Sequence, residues 1–180
     1  MLKKKIYLAG FDVFRPDAHE YGKWLISLCT NAGFEGLFPL DSIAPKELSG
    51  VKLANWIYNA NINLIRNADI IIANVNDFRA TGEPDSGTAF EIGFATAIGK
   101  PVWAYSTNKR PLIERLSTQI VSGKATCARG FTVEDFDLPM NLMIACGAKL
   151  IYGGPQECLA EIQKFGAMQP HNEPFLDESI

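Results

Sequence analysis

Paired cysteines, histidine and clustered positive charge are scarce in this chain, and each shortage excludes a class of chemistry. The four cysteines, Cys29, Cys127, Cys146 and Cys158, are far apart with no CxxC among them, and neither His19 nor His171 stands near any of them. That spacing predicts no zinc or other metal site and no disulfide framework, and a cytoplasmic, reducing setting fits it best. Seventeen Lys and Arg are scattered among twenty Asp and Glu, giving a formal charge of −3. There is no basic field for nucleic acid or an anionic membrane. Long apolar runs are absent too: Lys3, Lys4 and Lys5 precede only residues 6–9, too short a stretch for a signal peptide or a membrane span. Neither GxGxxG nor a Walker lysine occurs, so no dinucleotide or triphosphate cradle is expected.

What is present suits one globular unit. With 180 residues and 47% apolar content, a single core can form. We expect one domain over residues 1–167 and a tail over 168–180, either loose or docked on a partner subunit. Short apolar runs alternate with longer amphipathic ones, as in a parallel sheet covered by helices. KIYLAG (5–10) reads as a strand. Tyr21, Trp24, Leu25, Leu28 and Cys29 recur at helical spacing within 17–32, and Gly33 stops that helix. FEGLFPLD (34–41) reads as a strand broken by Pro39. After a polar loop with Pro45, Ser49 and Gly50, the run from Trp56 to Ile65 predicts a second helix. DIIIANV (69–75) has the composition of a central strand buried on both faces. A third helix over 86–99, strands at 102–106 and 148–153, and a last helix over about 155–165 complete the pattern. Residues 107–135 are the least patterned.

In such a sheet ligands bind beyond the carboxyl ends of the strands, which points to loops 9–16, 38–50, 74–87 and 106–112. One of them runs into PDSGTAFEIG (84–93). This stretch places Asp85 in the loop and Glu91 inside the following helix, among apolar neighbours such as Ala89, Phe90, Ile92 and Ala95. Two readings stand on these residues alone. Asp85 caps the helix and Glu91 pairs with a lysine, or Glu91 is an anion held near a helix N-terminus, available as a nucleophile.

Taken together, KIYLAG, NADIIIAN, FRATGEPDSGTAFEIGFATAIGKPV and LPMNLMI, in that order, resemble the nucleoside 2-deoxyribosyltransferases over about residues 3–165. The most specific piece is D-x-G-x-x-x-E, from Asp85 through Gly87 to Glu91. The resemblance implies an α/β, flavodoxin-like three-layer sandwich with a five-stranded parallel sheet, assembled as a homo-oligomer. It also implies cofactor-free exchange of free nucleobases on 2′-deoxyribonucleosides, in nucleoside salvage. It assigns Glu91 as nucleophile, Tyr7 as the phenol that orients it, and Asp85 as the acceptor near the sugar 5′-hydroxyl. Around the substrate it implies Gly87, Phe14, Asp41 and Asn61, with Asn141 and Met143 reaching into a neighbouring subunit's site, while Asp12, at a departure from the family, either narrows the base pocket or adds a polar contact to the base. Phe14, Phe78, Phe90 and Trp56 are candidate walls that keep water out. The chain departs from the family at Phe11-Asp12 and at Asn61, where some members carry an aspartate that handles the base proton. An N-glycoside hydrolase acting on deoxynucleosides or their 5′-monophosphates, and a non-catalytic nucleoside sensor, are the alternative readings.

Overall fold

The computed structural model describes residues 2–168; the expected tail lies outside these except for Met168, the last residue of the final helix. The chain builds a five-stranded, all-parallel sheet from β1 (Lys5–Gly10), β2 (Glu35–Leu37), β3 (Ile70–Asn74), β4 (Val102–Ser106) and β7 (Lys149–Tyr152), in the order β2-β1-β3-β4-β7. This is the flavodoxin-like doubly wound order, whose switch point lies between β1 and β3. Helices α1 (Ala18–Asn31) and α6 (Pro155–Met168) cover one face, and α2 (Gly50–Asn67) and α3 (Ser86–Ala97) the other.

Strand alternation divides the core in two. Ile6, Leu8, Ile70, Ile72, Trp103 and Tyr105 meet Leu25 and Cys29 of α1 and Leu159 and Ile162 of α6. Tyr7, Ala9, Ile71, Ala73, Val102 and Ala104 meet Ile65 of α2 and Ile92 and Ala95 of α3. Strand pairing sets Ala9, Ala73 and Ala104 side by side across the sheet near its carboxyl end, under α3.

Several bounds differ from the sequence reading, each for a local reason. β2 stops at Leu37 because Pro39 opens a 3₁₀ turn, Pro39–Asp41, whose Asp41 carboxylate accepts a hydrogen bond from the Phe38 N–H at 3.3 Å. α2 starts at Gly50, six residues before Trp56, because its first turn presents Val51 and Lys52 to solvent and has no apolar stripe to read. Residues 107–135 hold a one-turn helix α4 (Leu112–Arg115) and an antiparallel hairpin, β5 (Thr118–Val121) with β6 (Lys124–Cys127). Its two-residue turn, Ser122-Gly123, has φ of 50° and 79°, the left-handed pair that a type I′ hairpin requires. A further short helix, α5 (Leu142–Ala145), follows. Among the described residues no helix is long and apolar enough to cross a membrane.

Candidate active site

The site begins with β1. Alternation turns Tyr7 toward α2 and α3, where its ring is wholly buried. Its phenol donates to Glu91 Oε1 at 2.5 Å, a short charge-assisted bond across 84 residues of sequence. Glu91 is the sixth residue of α3 and only part-buried. The alanine rung beneath leaves room for α3 to lie close enough to the sheet for that bond.

Two opposed effects set the charge of Glu91. Burial pushes its carboxyl up from 4.5 to about 7, the Tyr7 hydrogen bond pulls it down, and the nearby charge of Asp85 raises it again. Glu91 lies in the second turn of α3, where the helix dipole's support for an anion has faded. Desolvation therefore wins. Burial and the carboxylate likewise drive the Tyr7 phenol far above its ordinary value, so Tyr7 stays protonated and remains a donor.

Asp85 stands at the N-cap of α3. Its Oδ2 accepts from the Thr88 N–H at 2.9 Å and from the Thr88 hydroxyl at 3.2 Å. A Cβ at Gly87 would lie 2.9 Å from that same oxygen, so only glycine lets the carboxylate fold over the helix start. Thr88 was missed in the sequence, although an acidic residue followed by a hydroxyl three positions on is a legible capping signal.

On α2, Asn61 lies one turn before Ile65 and shares its inward stripe. Its Oδ1 is buried with no hydrogen-bond partner among the described residues, an acceptor left open.

Other candidates are held by contacts of their own. Asp12 is buried on the opposite face, where its Oδ2 accepts from Asn74 Nδ2 at 3.0 Å; burial pushes its carboxyl up. It lines an open polar recess of about 360 Å³ with Arg15, Tyr21, Asn76 and Thr107. Asp41 caps its own turn and is exposed. Phe14 is exposed and stacks on Phe78 at 5.4 Å, and Phe78 stacks in turn on Phe11 at 5.0 Å. Phe90 is half-exposed and packs on Tyr58 and Phe94, away from the pair. Trp56, on α2, is partly buried. Asn141 caps α5 through the Met143 N–H at 3.0 Å, is held by Glu134 at 2.6 Å, and leaves Met143 largely exposed.

A buried phenol clamping a carboxylate of raised proton affinity, near a second carboxylate, suits attack on a glycosidic carbon. Among the described residues no group of three or more His, Cys, Asp or Glu could hold a metal ion.

Comparison with known proteins gives the same direction. The family model for nucleoside 2-deoxyribosyltransferase matches residues 6–143. The chain superposes on a solved 2-deoxyribosyltransferase from Leishmania mexicana with a TM-score of 0.73 at 36% identity, covering 89% of this chain and 97% of that one. It also superposes on a 2-deoxyribosyltransferase from Bacillus psychrosaccharolyticus with a TM-score of 0.59, covering 96% of this chain and 99% of the other. At 19% identity that likeness is one of fold. An uncharacterized protein from Schizosaccharomyces pombe is 33% identical over 117 residues, 62% of this chain but only 54% of that protein's length.

Proposed function

The chain belongs to the nucleoside 2-deoxyribosyltransferase family, and from that premise we propose that it exchanges nucleobases on 2′-deoxyribonucleosides through a covalent sugar ester on Glu91. The observation that carries this reading is the 2.5 Å bond from the Tyr7 hydroxyl to Glu91 Oε1. It fixes one carboxylate oxygen and aims the other at substrate. In the first half-reaction that second oxygen attacks C1′ of the deoxyribose. The C1′–N bond breaks, its electron pair stays on the departing base, and the base takes a proton from water at the pocket mouth. In the second half-reaction a ring nitrogen of the incoming base attacks C1′, the ester C1′–O bond breaks, Glu91 is restored, and the new nucleoside sheds a proton. Two inversions give net retention.

The remaining residues bind and orient. Asp85, with Oδ2 committed to Thr88, offers Oδ1 to the sugar 5′-hydroxyl and repels a 5′-phosphate. Gly87 keeps that loop open. Asn61 takes a donor from the base edge with its unpartnered Oδ1, but an amide supplies no proton at neutral pH. Phe14, backed by Phe78, covers the base. Asp12 and Asp41 act at one remove by shaping the loops after β1 and β2.

Completion of the site by a second copy fits two features of the single chain. The outward face of α2 and α3 leaves Ile57, Tyr58 and Phe90 exposed, and Asn141 and Met143 stand on a capped projection. Contiguous exposed apolar side chains mark interaction surfaces. A cytoplasmic role in nucleoside salvage is the setting we propose, in keeping with four cysteines spaced without a disulfide framework.

The test is a base-exchange panel. Deoxyinosine or thymidine with adenine should yield deoxyadenosine. Free deoxyribose as the main product would indicate a hydrolase, and binding without turnover a sensor.

A further inference from the structure

Arg115 is the last residue of α4, and its side chain is only 2% exposed although none of the substrate-facing groups touches it. One guanidinium nitrogen, Nη2, donates to Asp77 Oδ1. The other, Nη1, donates to the Pro139 carbonyl at 2.5 Å. Nε is buried with no partner among the described residues. Leaving one donor of a buried cation unpaired is costly, so the arrangement needs a reason beyond surface ion pairing.

The partners supply one. Asp77 lies three residues past β3, on the segment that leads to Asp85 and α3, while Pro139 lies two residues before Asn141. Backbone packing follows the same route. The Leu112 N–H donates to the Leu138 carbonyl at 2.7 Å. On the other side, Gly82, with φ of +80°, lies so close under Leu112 that an added Cβ would sit 2.5 Å from Leu112 Cδ1. α4 is thus wedged between the loop that delivers the catalytic carboxylates and the segment that carries Asn141 and Met143.

We infer that Arg115 is a positioning residue that locks these two segments to each other. Its consequence for turnover rests on the proposed transfer reaction: a chain that holds in place its own loop leading to Asp85 and α3 also holds the projection it offers a neighbour. Asp77 is the better handle, because it is partly exposed and its replacement removes a surface carboxylate rather than a buried side chain, although it leaves the Arg115 guanidinium one partner fewer.

The experiment pairs backbone amide exchange with base-exchange kinetics on Asp77→Ala, Asp77→Glu and Arg115→Lys. In Asp77→Ala, the amides of Leu138 and of residues 140–143 should exchange roughly tenfold faster, although the substitution is in the other segment. Its kcat should fall roughly tenfold with donor KM changed less than twofold, since misplacement by about an ångström acts on the transition state. Asp77→Glu should recover most of both, and Arg115→Lys, which cannot bridge two acceptors in fork geometry, should match Asp77→Ala. Unchanged exchange at these amides in Asp77→Ala and Arg115→Lys overturns the inference. If the wild-type chain transfers no deoxyribosyl group, the functional reading falls, and amide exchange alone still decides whether Arg115 couples the segments.

Discussion

On one face of the sheet, Leu8, Ile72 and Trp103 lie side by side and fill the space beneath α1 and α6. One residue further along the same strands, on the other face, the side-by-side set is Ala9, Ala73 and Ala104. The backbone and register are shared, so the difference lies in side-chain volume. The bulky face gains apolar burial at about 25 cal/mol per Å² and gives the domain its cohesion. The alanine face gives up part of that gain, letting α3 approach and seat Glu91 against Tyr7. Stability and chemistry are thus divided between two sides of one sheet.

The comparison breaks most sharply at Glu91. Glu91→Gln should lower transfer by about 10⁴-fold or more, as expected for loss of a nucleophile. Its thermal stability at pH 8 should be no lower than that of the wild type. The sign follows from the carboxyl's shift from 4.5 to about 7. A raised value means that the folded state favours the protonated form. That contribution to stability is fully present below about 4.5, falls as pH rises toward 7, and is lost above it, a swing on the order of 3 kcal/mol. Unfolding curves of both forms at pH 5 and pH 8 check it: the glutamine form should gain on the wild type at the higher pH.

The next test sets the two faces against each other. Ala73→Leu should lift α3, costing about 1–3 kcal/mol through overpacking and roughly 10²-fold in kcat through misplacement of Glu91. Leu8→Ala, one position away in space but facing α1 and α6, should cost about 2–5 kcal/mol of stability and leave kcat within about twofold. Denaturant unfolding and steady-state kinetics on the same preparations measure both quantities. Equal kinetic losses in the two variants would erase the division.

Tyr7→Phe is a smaller perturbation. It removes one hydrogen bond to a charged acceptor, so kcat/KM should drop by about tenfold to a hundredfold. In the wild type, kcat/KM should rise with pH up to about 7 and then level, because the nucleophile must be ionised. Without the bond that lowers its proton affinity, Glu91 should ionise later and the profile of Tyr7→Phe should move to higher pH. The smallest effect is expected at Asp85→Ser, a change of specificity. Deoxynucleoside 5′-monophosphates should become usable donors, read as the ratio of kcat/KM for nucleoside and nucleotide.

Much of this division was legible in the sequence, and the exceptions are physical ones. The parallel sheet declared itself because buried strands such as IIIAN and VWAYS are continuous apolar runs. Asp85 and Glu91 were findable because carboxylates amid apolar neighbours need a reason. The alanine rung was not legible, since Ala9, Ala73 and Ala104 become neighbours only through strand register. The helix start at Ser86, capped by the Asp85 carboxylate that accepts from the Thr88 N–H, was legible, but the desolvation that outweighs the dipole at Glu91 arises only once α3 packs on the sheet. The surroundings of Asp12 were not legible either, because Asn74, which donates to its carboxylate, is 62 residues away in sequence. The hairpin at 118–127 was overlooked because β5 is exposed at every residue and β6 buries only Thr126, leaving no apolar alternation to read, although Ser122-Gly123 was a readable turn.

The central claim is that Glu91 itself becomes bonded to the sugar. Incubation with a 2-fluoro-substituted deoxynucleoside donor, whose ester should turn over slowly, followed by peptide mass spectrometry, tests it directly. The account predicts one added fluorodeoxyribosyl group on the peptide containing Glu91, released when an acceptor base is supplied. A label on any other residue, or steady turnover with no label at all, contradicts it.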